Sequence, residues 1–285
     1  MSKIFIYYTL GEMPAKYIDI LNWKYYIVHM KNKGHIKLIR RIFFGFIILG
    51  VLIVINFFPT FSLLTNGMNK YKGEYITVFY EKEEKAAYDV FLLTNSESER
   101  ISSRLGFESP QDISIYIYDN QKTFQRKKYG FIVAFLGLDW YIGDNKKTNV
   151  LLTSPANPGK VHDYDNNKYA SIHEIVHAYN YLINRNMPLW VNEGVALYLS
   201  NGNPPHDLYS SQKTPMIKEI STNNPIKFAN IGGYVFAHTY IEYLDKIFGW
   251  NKVLAFLRDN EYEKAFGQSE EEVYNNWIDY LKNYY

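Results

Sequence analysis

One stretch of the chain departs from the mixture of apolar and polar positions that runs through the rest. From Ile42 to Asn69 there is no charged residue, and Ile42 to Leu64 is nearly all apolar. A run of that length can cross the roughly 30 Å hydrocarbon layer of a bilayer, and a core helix of a soluble protein rarely stays uncharged for so long. The pattern therefore predicts a transmembrane anchor over residues 42–64. Lys31, Lys33, Lys37, Arg40 and Arg41 precede it, whereas Lys70 and Lys72 are mixed with Glu74 and Glu81 after it. The positive-inside bias then makes residues 1–41 a cytoplasmic N-terminal segment and puts residues 70–285 outside the cell membrane. A cleaved signal peptide, giving a secreted protein, is the alternative. No small-x-small cleavage site follows the run, Thr65-Asn66-Gly67 being the nearest, which favours the uncleaved anchor. Residues 1–30 show no clear pattern, and Met30 would itself make a good start.

Beyond the anchor the periodicity shortens. Tyr75 to Tyr80 alternates weakly and predicts a strand, and Glu83 to about Leu105 a charged helix, interrupted at Thr94-Asn95. Ile113-Ser114-Ile115-Tyr116-Ile117-Tyr118 alternates strictly in Ile, and Asn149 to Ser154 reads as another strand, ended by Pro155 and Pro158. A helix is expected from about Tyr169 to Ile183 and a second just after Pro188, beginning at Leu189. Residues 201–230, rich in Pro, Ser, Asn and Lys, read as a long surface loop with a short helix at Met216 to Ser221. Helices follow at Gly232 to Phe248, Trp250 to Asp259 and Ser269 to Tyr284, the last opening on the capping box Ser269-x-x-Glu272. The loop from His162 to Asn167 looks faintly like a calcium loop. Counted from Asp163, it has Lys168 where the sixth-position Gly belongs, so a solvated helix cap is the better reading.

Chemistry concentrates in the helix near Ile183. His173-Glu174-Ile175-Val176-His177 places two imidazoles four residues apart on one helical face, about 6 Å from each other, close enough to share one metal ion. Zinc accepts neutral His nitrogen, and a catalytic zinc site uses three protein ligands and leaves a position for water. Glu174 points about 100° round the helix, beside that water, where a general base belongs. The motif alone is suggestive, since two surface histidines could produce it. Leu189-Trp190-Val191-Asn192-Glu193-Gly194-Val195-Ala196-Leu197-Tyr198 offers a third ligand in Glu193, with Gly194 and Ala196 allowing close approach.

These residues resemble the gluzincin metallopeptidases, the clan of thermolysin, aminopeptidase N and leukotriene hydrolase. The resemblance rests on H-E-I-V-H at 173–177, W-V-N-E-G-V-A-L-Y at 190–198, and the run from Tyr234 to Gly249, over roughly residues 110–285. It implies one zinc ion on His173, His177 and Glu193, Glu174 as general base, and Tyr234 as the donor to the oxyanion, with His238 one turn later as a substitute candidate; in a chain of 27 Tyr a packing role for Tyr234 is the competing reading, and for His238 packing is the better one. It also implies that the strand at 149–154 is the edge on which extended substrate is held; an ordinary core strand is the competing reading. Only fifteen residues, 178–192, separate His177 from Glu193, fewer than the best-known members carry. The G-x-M-E-N signature for a substrate amino terminus is absent, so aminopeptidase specificity does not carry over.

Composition narrows the partners. A net charge of +2 and no basic cluster interleaved with aromatics argue against nucleic acid, and the absence of Cys removes disulfide and thiol chemistry. The expectation is thus a membrane-anchored zinc peptidase acting on peptide or protein. Its fold class would be α+β, with a small mixed sheet and active-site helix as one half and a helical C-terminal half closing the cleft. Two other readings stay open: a zincin-like surface binding module without activity, and a zinc hydrolase that is not a peptidase.

Overall fold

The computed structural model describes residues 15–200 and 202–285, with side chains from residue 35 onward. Residues 1–14 of the expected cytoplasmic segment lie outside the described residues. The chain divides into two compact units between Phe58 and Pro59.

The first unit is a helix, α1 (Ala15–Phe57). Pro59 cannot continue it, and the chain passes through a single 3₁₀ turn, Phe58–Phe61. Residues His35–Phe61 form a helical stretch with mean hydropathy 2.6, long and apolar enough to cross a membrane. Phe43, Phe46, Ile48, Leu52 and Val54 are each more than half exposed. That is the opposite of a soluble core helix, whose apolar side chains are covered.

The second unit is a mixed α+β body. Its elements are β1 (Asn69–Lys72), β2 (Ile76–Tyr80), α2 (Glu84–Arg104), β3 (Ile113–Tyr118), α3 (Gln121–Tyr129), β4 (Gly143–Lys146), β5 (Asn149–Thr153) and α4 (Tyr164–Ile183). These are followed by α5 (Leu189–Leu199), α6 (Leu208–Ser211), α7 (Ile217–Ile220), α8 (Pro225–Asn230), α9 (Gly233–Phe248), α10 (Trp250–Asp259), α11 (Tyr262–Phe266) and α12 (Glu270–Tyr284). The five strands lie in the order β1-β2-β3-β5-β4. The inner three are parallel, and β1 and β4 run antiparallel at the two edges.

The strict alternation of β3 sorts its two faces. Ile113, Ile115 and Ile117 enter the main core with Val90 of α2 and Ile175 of α4, whereas Tyr118 joins Phe124 of α3 and Leu151 in a smaller cluster on the other face. The helical half is centred on aromatic rings. Trp190 meets Trp277, Tyr240 and Phe228 edge-on, at centroid distances of 5.8, 6.2 and 5.9 Å. Arg104, at the end of α2, ties the halves together through Asp245 (2.9 Å) and by lying 4.2 Å from the Trp250 ring. The Ser269–Glu272 capping box forms at the start of α12.

Several expectations need correction. The strand at 149–154 is not a sheet edge: β5 is internal, covered by β3 on one side and β4 on the other. The edge is β4, whose polar sequence Gly-Asp-Asn-Lys carries no strand pattern. Helix α2 is unbroken at Thr94, whose hydroxyl donates back to Val90 O at 2.8 Å and so removes its own competition with the helix. Residues 202–230 form three short helices and their connections. The loop at 162–167 forms the expected helix cap, Asp163 Oδ1 accepting from Asn166 N at 2.7 Å, but α4 starts five residues earlier than its apolar pattern suggests, at Tyr164 rather than Tyr169.

Candidate metal and catalytic site

Helix α4, which carries His173 and His177, packs against β4 and β5. The Nε2 atoms of the two imidazoles are 2.9 Å apart, and their rings stand at 87° to each other. Helix α5 brings in Glu193, whose Oε2 lies 3.3 Å from His173 Nε2 and 3.5 Å from His177 Nε2. The neighbour of Glu193 fixes how α5 seats. A Cβ on Gly194 would fall 2.5 Å from Ala237 O and 2.7 Å from Ile241 Cγ1, so only glycine lets α5 pack this closely on α9.

The residues present fit a metal ion. Glu193 Oε2 is buried and has no hydrogen-bond partner. A buried carboxylate oxygen without a partner is costly, and it is satisfied when it coordinates a cation. Around a tetrahedral zinc with bonds of roughly 2.0–2.1 Å, donor atoms stand about 3.4 Å apart. The three ligand atoms lie 2.9, 3.3 and 3.5 Å from one another, already near that spacing. Two imidazole nitrogens and one carboxylate oxygen are also a donor set that zinc accepts.

A supporting layer orients the ligands. Asn180 Nδ2 donates to Asn192 Oδ1 at 2.9 Å, which fixes that oxygen as an acceptor for His177 Nδ1 at 3.1 Å. With its proton on Nδ1, His177 presents a lone pair on Nε2. Burial pulls the His177 pKa down, but the Glu193 carboxylate overrides it and lifts it to about 9, so an ion binding at Nε2 would displace a proton held there by Glu193. His173 is pushed down by burial and by His177 beside it. Burial alone would raise Glu193, yet the two imidazoles hold it below the usual carboxylate range.

Glu174 is 6% exposed and faces β4. A Cβ on Gly143 would stand 2.8 Å from its Oε1, so the glycine gives the carboxylate its room. Burial pushes Glu174 up to about 8, with Asp144 and Glu193 adding to the rise and His177 and Lys128 opposing it. That places its proton affinity where a group able to take up and release a proton near neutral pH needs it.

Tyr234 belongs to the same electrostatic neighbourhood. Burial raises its phenol pKa, and Glu193, Glu174 and Asp144 raise it further, so the hydroxyl keeps its proton. Its ring packs edge-on against Phe228 at 4.9 Å. His238 is not brought into this group. It is 7% exposed, packs 5.5 Å from the Tyr198 ring, and has Glu242 and Lys246 as its charged neighbours.

The sequence pattern missed a cluster on the other side of Glu174. Lys128 Nζ of α3 lies 2.6 Å from Asp144 Oδ1 and donates to Asn145 O at 2.5 Å. The hydroxyls of Tyr141 and Tyr129 donate to Asp144 Oδ2. Burial pushes Asp144 up and Lys128 pulls it back. Lys128, Tyr129, Tyr141 and Asp144 belong to no spacing motif. The one signal in the chain is Gly143, a glycine at the edge of a polar run.

No protein-family model and no curated protein sequence matches the chain. Among solved structures it is similar to native leukotriene A4 hydrolase from Saccharomyces cerevisiae, with TM-score 0.44 and 15% identity over 74% of this chain and 39% of that one. A structure described as native yeast LTA4 hydrolase gives TM-score 0.42 and 14% identity over 75% of this chain and 36% of that one. This chain therefore spans less than two fifths of the length of either, and so loose a likeness carries no argument about activity.

Proposed function

We propose that the chain is a zinc-dependent peptidase, anchored in the membrane by residues 42–64 and carrying its catalytic body, residues 70–285, on the extracytoplasmic side. The observation that carries the reading is the buried, unpartnered Oε2 of Glu193 facing both His173 Nε2 and His177 Nε2, with the carboxyl of Glu174 alongside. His173, His177 and Glu193 would hold the ion. When bound, it supplies Lewis acidity that polarises a scissile carbonyl and lowers the pKa of a water toward about 7.

The chain's own groups do the rest. Glu174 takes the proton of the attacking water and returns it to the leaving amine, a role typically worth about 10² to 10⁴ in rate. Tyr234, held protonated, donates to the developing oxyanion, and loss of such a donor typically costs about 10² to 10³ in kcat. Asn192 keeps His177 in the tautomer that binds. Peptide or protein is the substrate class, and a Cβ at Gly143 on the β4 edge would lie 2.8 Å from Glu174 Oε1.

The test compares the full chain and its Glu174→Gln variant for zinc content and for cleavage of a diverse peptide library. The reading expects about one zinc per chain in both and cleavage only by the unaltered protein. Zinc in both with no cleavage of peptides, but hydrolysis of another ester or epoxide substrate, would move the assignment to a different hydrolase. Much less than one zinc per chain after supplementation would leave a binding module.

A further inference from the structure

The strongest unexplained surface of the body is the loop after α3. Phe135 is 88% exposed, Leu136 57%, Phe131 43% and Trp140 40%. Large apolar side chains grouped in this way mark a contact surface. What they contact is indicated by three features of the same region.

The first is position along the chain. The segment that follows the apolar helix is clamped to α3 and its neighbours. Lys127 Nζ donates to Ser62 O (2.7 Å) and Leu64 O (2.9 Å), and Lys146 Nζ to Thr60 O (2.9 Å). Tyr118 hydroxyl donates to Leu63 O (2.7 Å). Phe131 follows Lys127 by four residues, so chain length alone keeps it within about 14 Å of the clamp. The second is charge. Residues 121–141 carry four bases, Lys122, Arg126, Lys127 and Lys128, against one acid, Asp139, and that acid is paired with Lys160 at 3.0 Å. Of the four bases, Lys127 and Lys128 are used inside the body, while Lys122 remains for an external anion and Arg126 lies 5.5 Å from the Phe131 ring. The third is composition: aromatic side chains next to bases are what settle at a lipid headgroup boundary.

We infer that the Phe131–Trp140 loop is a membrane-docking surface, seating Phe135, Leu136 and Trp140 in the outer boundary of an anionic bilayer. The inference rests on the reading of the apolar helix as a membrane span. Adjacent residues of α3 then link the bilayer to the chemistry, because Lys127 holds the clamp at residues 62–64 and Lys128 holds Asp144 beside Glu174. Docking of this loop would hold the site near the bilayer surface and favour membrane-proximal stretches of protein as substrates.

The chain has no Cys, so one introduced thiol labels one place. The full chain is reconstituted into vesicles of phosphatidylcholine with a minor share of phosphatidylglycerol. An environment-sensitive fluorophore is attached in three separate variants: Phe135→Cys, Ile48→Cys in the apolar helix, and Ile247→Cys as an exposed reference on α9. All three positions are exposed, so the substitutions leave the core intact. Spin-labelled lipids are the quenchers. The expected result is at least twofold quenching at residue 135 by a headgroup-level spin label, weakening when phosphatidylglycerol is omitted, with residue 48 quenched by an acyl-chain label and residue 247 unaffected. Quenching at 48 without quenching at 135 overturns the docking surface and leaves the span standing. Absence of quenching at both overturns the span and the docking surface together. A blue shift at 135 that grows with protein concentration and is insensitive to spin label shows a second copy covering the loop, and also overturns it.

Discussion

The two sides of Glu174 are built on opposite electrostatic principles. On one side, His173, His177 and Glu193 converge with a carboxylate oxygen left unsatisfied. On the other, Asp144 is fully occupied by Lys128, Tyr129 and Tyr141, and Lys128 in turn satisfies Asn145 O. The first arrangement leaves Glu193 Oε2 without a hydrogen bond, which a cation from outside the chain would satisfy. The second supplies its own cation. Incompleteness marks the side that binds, and completeness marks the side that positions, so the same residue types, acid and base, have different uses according to what remains unpaired.

Removing a ligand from the incomplete side gives the largest effect on function. Glu193→Ala should abolish stoichiometric zinc and lower kcat/KM by at least about 10³, the loss of several kcal/mol of transition-state stabilisation. Zinc content by metal analysis and turnover of the best library peptide check it. Full zinc in that variant would show that the third ligand lies elsewhere.

On the complete side the expected loss is in stability. Lys128→Met leaves Asp144 without its cation, and breaking a buried pair from one side typically costs about 3–5 kcal/mol. Both side chains are only about a fifth exposed, so solvent does little to soften the loss. The double variant Lys128→Met/Asp144→Leu should recover most of it, because no uncompensated charge remains. Chemical unfolding of the three proteins measures the difference. Equal stability of single and double variants would mean the pair is solvated and the contrast between the two sides is wrong.

A smaller effect belongs to the layer behind the ligands. Asn192→Ala removes the acceptor that fixes His177 Nδ1. Zinc affinity should fall by about 10- to 100-fold, as it does when such partners are lost, with the fold intact. Competition against a chelator of known affinity gives the number, and an unchanged affinity would show that His177 needs no orienting partner.

The contrast also explains what could be read from the sequence. The metal side is built from two consecutive helices, and helical spacing converts directly into a shared face, so His173, His177 and Glu193 stand out as a pattern. The α+β class was likewise legible, because Ile113, Ile115 and Ile117 alternate and α12 carries its own cap. Asp144 and Lys128 gave no such signal. They come from an edge strand with no apolar rhythm and from a helix on the far face of the sheet, joined only by the order in which strands pair. The expected edge at 149–154 failed for the same reason: strand order is a long-range property, and β4 places itself outside β5 through a hairpin whose turn is Lys147-Thr148. His238, one turn after Tyr234 and better read as a packing residue, lies with its ring 5.5 Å from that of Tyr198.

The most local test of the contrast is Gly143, where the two sides meet across Glu174. A methyl group there would come within 2.8 Å of Glu174 Oε1, 3.1 Å of its Cγ and 3.1 Å of Leu152 Cδ2. The leucine is held in the sheet core, so the flexible end of the Glu174 side chain is the part that yields. Gly143→Ala should therefore displace the carboxylate by a few tenths of an ångström without touching the ligands or the Lys128–Asp144 pair. Zinc content and unfolding midpoint stay near those of the unaltered protein. The rate falls by about tenfold, within the range that small misplacements of a catalytic group produce, and the loss appears in kcat more than in KM because proton transfer, rather than binding, is impaired. Loss of zinc in this variant would mean that β4 supports the ligands as well as the base, and would join the two sides into one unit. An undiminished kcat would mean that Glu174 does its work from a position that Gly143 does not constrain.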